Sequence, residues 1–107
     1  MKVYIAGPYT EGVWEENIRQ VVDAAEELWN ADHTPFIPHT MTTLWALNYP
    51  KKKAEWLDFD FRWLGQCDAM IRLDGDSEGS EREVEFALNN DIDVYYSVES
   101  FLENNGN

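Results

Sequence analysis

Apolar residues arrive in short blocks along this chain, and the spacing inside each block assigns an element. Val3-Tyr4-Ile5-Ala6 is a continuous apolar run closed by Gly7-Pro8, which predicts a first, central strand. Over residues 13–31, Ile18, Val21, Val22, Ala25, Leu28 and Trp29 recur at intervals of three and four, the signature of a helix with one buried face. Asp32-His33-Thr34-Pro35 ends it, and Phe36-Ile37-Pro38-His39 reads as a short strand whose prolines suit a sheet edge. Residues 40–50 lack clean periodicity and carry Met41, Leu44, Trp45, Leu47 and Tyr49, the composition of an aromatic loop or short helix that closes a pocket.

Helical spacing resumes over 52–64, with Trp56, Phe59, Trp63 and Leu64 near one side. Residues 69–73 form a third strand candidate, residues 83–88 a helix, and residues 92–96 a fourth strand. Residues 98–102 add a last helical turn or two, and residues 104–107 should fray. Strand and helix alternate throughout, which predicts an α/β fold with a parallel sheet covered on both faces.

The chain has 107 residues, and a single domain over 1–107 is expected. Five Trp, five Tyr and five Phe exceed what one small core hides, so at least a homodimer is predicted, with Trp56 and Trp63 at the contact. Eight basic against twenty-one acidic side chains give a net charge of −13, which repels nucleic-acid polymers and anionic membranes. No apolar run reaches the roughly 18 residues of a membrane helix, and no secretion signal is readable. One cysteine, Cys67, forms no internal disulfide and suits a reducing, cytoplasmic location.

The candidate chemistry gathers where strands run out. Ser77-Glu78-Gly79-Ser80-Glu81-Arg82-Glu83 leads from the third strand into a helix, the place where open α/β sheets bind ligands. Glu83 should sit near the helix start, where free backbone N–H groups favour an ionised carboxylate. A carboxylate so placed suits attack at, or charge stabilisation of, the anomeric carbon of a nucleoside. A second acid would protonate or hold the departing base, and Asp58, Asp60 and Asp68 are available.

The first turn, Gly7-Pro8-Tyr9-Thr10, faces the same cleft and offers the Tyr9 hydroxyl, whereas Tyr4 lies within its strand, in the core or against the sheet. Ser77, Gly79 and Ser80 can hold one phosphate through hydroxyl and backbone N–H groups. Asp74, Asp76, Glu78 and Glu81 oppose that dianion. His33, His39 and Cys67 lack metal-ligand spacing, and no dinucleotide or triphosphate-binding glycine motif is present, so neither metal nor cofactor is expected.

Three pieces in order, Tyr4-Ile5-Ala6-Gly7-Pro8-Tyr9, Asp60 ahead of Cys67-Asp68-Ala69, and Ser77-x-Gly79-x-x-x-Glu83-x-x-x-Ala87, resemble the nucleoside 2-deoxyribosyltransferase-like superfamily. The likeness spans about residues 3–97 and is greatest to its small uncharacterised, often phage-borne, branch and to the 2'-deoxynucleoside 5'-monophosphate N-glycosidases. It implies a Rossmann-like, doubly wound parallel sheet of four to five strands in flavodoxin-like order. It also implies that Glu83 is the nucleophile, that Asp60 serves the base, and that Tyr9 or Tyr4 is the tyrosine of the first turn. Gly7, Pro8, Ser77, Gly79, Ser80 and Trp45 would complete the substrate pocket, Trp45 by covering the base. Ser77 stands where the transferases carry an aspartate and the monophosphate hydrolases a phosphate-contacting serine, which favours a nucleotide. The expected activity is cleavage or transfer of the N-glycosidic bond of a 2'-deoxynucleoside or its 5'-monophosphate; the alternative is a catalytically silent nucleotide-binding or structural domain.

Overall fold

Four parallel strands and five helices make up the protein in a computed structural model that describes residues 1–9 and 12–105. In chain order these are β1 (Lys2–Ala6), α1 (Trp14–Asn30), β2 (Thr34–Phe36), α2 (Pro38–Asn48), α3 (Lys53–Leu64), β3 (Ala69–Arg72), α4 (Glu78–Asn89), β4 (Asp93–Tyr95) and α5 (Val98–Asn105). The sheet order is β2-β1-β3-β4, the doubly wound, flavodoxin-like arrangement. Thr10 of the first turn and the C-terminal Gly106 and Asn107 lie outside the described residues.

Strand alternation divides the core in two. Val3, Ile5, Ala69 and Ile71 face α1 and α5 and pack on Val21, Leu28 and Phe101. Tyr4, Ala6 and Met70 face the other way, onto Leu64 of α3 and Val84 and Ala87 of α4. The central strands β1 and β3 are apolar on both faces for this reason, and β2 and β4 remain partly exposed at the edges. Register pairs Tyr4 with Met70 and Ala6 with Arg72. Chain connections leave β1 and β3 toward opposite edges, which opens a crevice beyond their C-terminal ends.

Several boundaries differ from those expected. Pro38 and His39 begin α2 rather than ending β2, since proline is well suited to a first helical turn whose N–H has no partner to lose. The uncertain stretch 40–50 is accordingly helix for most of its length. Helix α4 starts at Glu78, five residues ahead of Glu83, because the Ser77 hydroxyl accepts the Ser80 backbone N–H at 3.0 Å and caps it. Glu83 therefore sits in the second turn, away from the unpaired N–H groups of the helix start. Trp63 stacks on Phe36 with ring centroids 5.0 Å apart, and the most exposed large apolar side chains are on α2, with Leu44 71% and Leu47 76% exposed. Among the described residues no helix is long and apolar enough to cross a membrane.

Candidate active site

A cleft of about 650 Å³ opens at the C-terminal ends of β1 and β3, within the size range of small-molecule pockets. Gly7 and Tyr9 follow β1 into it. Helix α2 contributes Pro38, His39, Thr42 and Ala46, a stripe with mostly four-residue spacing along one face. Helix α3 contributes Asp60, and α4 contributes Ser77, Gly79, Ser80 and Glu83 from its cap and first two turns.

Glu83 is 6% exposed and accepts a hydrogen bond from the Tyr4 hydroxyl, which rises from the middle of β1. Burial pushes its pKa up to about 8, the opposite of what a position at the helix start would give. The Tyr4 hydrogen bond and the nearby Arg72 cation oppose that rise, whereas Asp60 adds to it. Asp60 is itself raised by burial, to about 7, and its Oδ1 has no hydrogen-bond partner. Tyr4 is held neutral, its pKa raised by burial and by the two carboxylates. Two carboxyl groups that resist ionisation thus share one cleft with a donor fixed beneath one of them.

The other candidate acids lie elsewhere. Asp58 is exposed and pairs with Arg62 at 2.8 Å, and Asp68 accepts the Lys2 backbone N–H at 2.8 Å at the opposite end of the sheet. Tyr9 lines the cleft, with its hydroxyl 3.0 Å from Thr43 Oγ1 and its ring edge-on to His39. Three candidates are outside the cleft wall. Tyr4 is wholly buried beneath it, Pro8 packs against Gly75, and Trp45 packs edge-on to Trp56 and Phe59. Trp45 lines a separate hollow of about 490 Å³ on the outer side of α3, which holds no buried titratable group.

Sequence reading passed over His39 and the cations. His39 is buried, its Nε2 lies 2.9 Å from the Pro8 carbonyl and 3.1 Å from that of Gly7, and burial lowers its pKa. A neutral ring that donates from Nε2 fixes the first turn and leaves Nδ1 as an unpaired acceptor. A Pro-His pair just after an edge strand was the available signal. Lys51, Lys53 and Arg82 also line the cleft, three of only eight basic side chains in the chain. Two of the four acids around the start of α4 are paired, Glu81 with Arg72 at 2.8 Å and Glu78, which lines the cleft, with Arg82 at 3.6 Å. Among the described residues no three His, Cys, Asp or Glu side chains cluster at metal-binding separation.

Residues 1–97 match the model of a family described as a domain of unknown function, DUF7768. No curated protein matches the chain in sequence. Among solved structures, the 2-deoxyribosyltransferase of the psychrotolerant bacterium Bacillus psychrosaccharolyticus superposes with a TM-score of 0.63 at 22% identity, over 88% of this chain and 69% of that one. The 2-deoxyribosyltransferase from Leishmania mexicana gives 0.64 at 18% identity, over 87% of this chain and 61% of that one. The likeness is one of fold, and this chain spans under two thirds of the Leishmania chain.

Proposed function

Since the chain belongs to the DUF7768 family, whose description assigns no reaction, we propose a function from its own cleft: cleavage or transfer of the N-glycosidic bond of a 2'-deoxynucleoside or its 5'-monophosphate. The observation that carries this reading is the buried Glu83 carboxyl, oriented by the Tyr4 hydroxyl and sharing the cleft with Asp60. The fold shared with two 2-deoxyribosyltransferases supports it.

In the first step a Glu83 carboxylate oxygen bonds to C1' as the bond from C1' to the base nitrogen breaks, and the Asp60 proton goes to the leaving base. Water or a second base then attacks C1', the Glu83 ester bond breaks, and Asp60 recovers a proton from the attacking group. The Tyr4 hydroxyl donates to Glu83 and positions it. Tyr9 and His39 wall the sugar side. The α4 cap at Ser77, with Lys51 and Lys53 lining the same cleft, offers donors and positive charge for a 5'-phosphate, and the ion pairs of Glu78 with Arg82 and of Glu81 with Arg72 lower the repulsion that the loop's acidity implies.

Incubation of the protein with a panel of 2'-deoxynucleosides and 5'-monophosphates, followed by chromatography for free base, tests the proposal. Glu83→Gln should lower base release by at least ~10²-fold, because it removes the attacking charge and keeps the shape. Glu85→Gln, on the exposed face of α4, should stay within about tenfold of the parent. Absence of base release from every compound would favour the silent binding domain instead.

A further inference from the structure

Arg72 closes β3 as a cation at a position that is 7% exposed. Alternation places it on the same face of the sheet as Tyr4, Ala6 and Met70, and its register partner is Ala6. Its side chain thus enters the layer between sheet and α4 two register pairs nearer the strand ends than Tyr4, which reaches Glu83 from that face. A buried guanidinium is costly unless its donors are used. Nε and Nη2 donate to Glu81 Oε1 at 3.2 and 2.8 Å, and Nη1 donates to the Leu73 carbonyl. The Glu81 side chain is 69% exposed, so the ion pair runs from the interior to the surface of the first turn of α4. Arg72 does not line the cleft and is not placed to touch a substrate.

We propose that Arg72 is a positioning residue for Glu83: clamped by Glu81, it pins the start of α4 to the end of β3 and supplies the fixed positive charge against which Glu83 carries its negative one. The inference relies on the reading above, in which Glu83 works as a carboxylate. Tyr4 from β1, Asp60 from α3 and Arg72 from β3 act on the Glu83 carboxyl; His39 from α2, Lys53 from α3 and Lys51 ahead of α3 line the same cleft, and Glu78, Glu81 and Arg82 are on its own helix. Arg72 is the buried cation among them, since Lys51, Lys53 and Arg82 are exposed. Arg72 opposes the effect of burial on Glu83 by direct attraction.

A clamp that is only mechanical and a counter-charge give different results when each partner is neutralised. The titration of the Glu83 carboxyl, followed by NMR in the ligand-free full chain with carboxyl-labelled glutamate, separates them. Arg72→Gln should raise the Glu83 midpoint by ~1 pH unit, Arg72→Lys should restore most of that shift, and Glu81→Gln should leave the midpoint equal or lower. An unchanged midpoint in Arg72→Gln, or a rise in Glu81→Gln, overturns the proposal. Should Arg72→Gln fail to fold by circular dichroism, Arg72→Lys and Glu81→Gln still decide it: a Lys variant within about half a unit of the parent supports it, and a larger rise overturns it. The readout needs no turnover. The expected shifts in a protein that releases no base would leave the counter-charge standing and remove the glycosidic function, and unshifted midpoints in an active enzyme would do the reverse.

Discussion

In the proposed reaction Glu83 has to be charged to attack, and its burial opposes that charge. With Asp60 nearby the pair titrates as a unit, holding two protons below about 7, one between about 7 and about 8, and none above. The proposed step needs the singly protonated pair with the charge on Glu83 and the proton on Asp60; because Glu83 is raised further than Asp60, this is the minor of the two singly protonated arrangements, and Tyr4 and Arg72 increase its share. Acidification adds the second proton and silences the nucleophile; alkalinisation strips Asp60 and removes the acid. A plot of kcat/KM against pH should be a narrow bell with limbs near 7 and 8, and Asp60→Asn should abolish one limb and most of the rate. The place of Glu83 in the strand-end cleft was legible, because a strand, a small-residue loop and a helix bracket it. Its surroundings were not: Tyr4 and Glu83 are 79 positions apart, and alternation assigns Tyr4 a face without naming the partner of its hydroxyl.

At the scale of elements, helices with a clear apolar face, such as α1, could be read from spacing almost to the residue. Helix α2 could not, because its inner stripe faces an open cleft rather than the core and so carries Thr42 and Ala46 where a packed helix carries larger apolar groups. The start of α4 was misplaced for a different reason: Gly79 and two serines suggest a loop, and the capping role of Ser77 outweighs that composition. The connections after β1 and β3 meet at Gly75, whose φ is +119°, and a Cβ there would overlap the Pro8 ring. Gly75→Ala should destabilise the protein by ~2 kcal/mol or more, from backbone strain and overlap together. Urea unfolding would measure the loss, and adding Pro8→Ala should recover only the part due to overlap.

For the whole molecule, fold class could be inferred because the sequence alternates element types, and the strand order followed from the resemblance of the three motif pieces to a known superfamily. Surface use is less visible. Trp63 stacks on Phe36 and is 39% exposed, whereas α2 carries the most exposed large apolar side chains, Leu44 and Leu47, and no charged residue on a chain of net charge −13, so the self-association surface is expected to centre on α2. Light scattering should give a mass above that of the monomer, rising with salt as repulsion between like-charged copies is screened; a monomer mass at every salt concentration would overturn this. The central strands also bear on durability. Tyr4 and Arg72, the two groups that serve Glu83 from below, belong to β1 and β3, the most deeply packed parts of the sheet and the last to open in local fluctuations. The support of the cleft cannot loosen ahead of the fold, so on warming, the capacity to hold a charged Glu83 persists until the sheet itself gives way, and the two disappear at the same temperature.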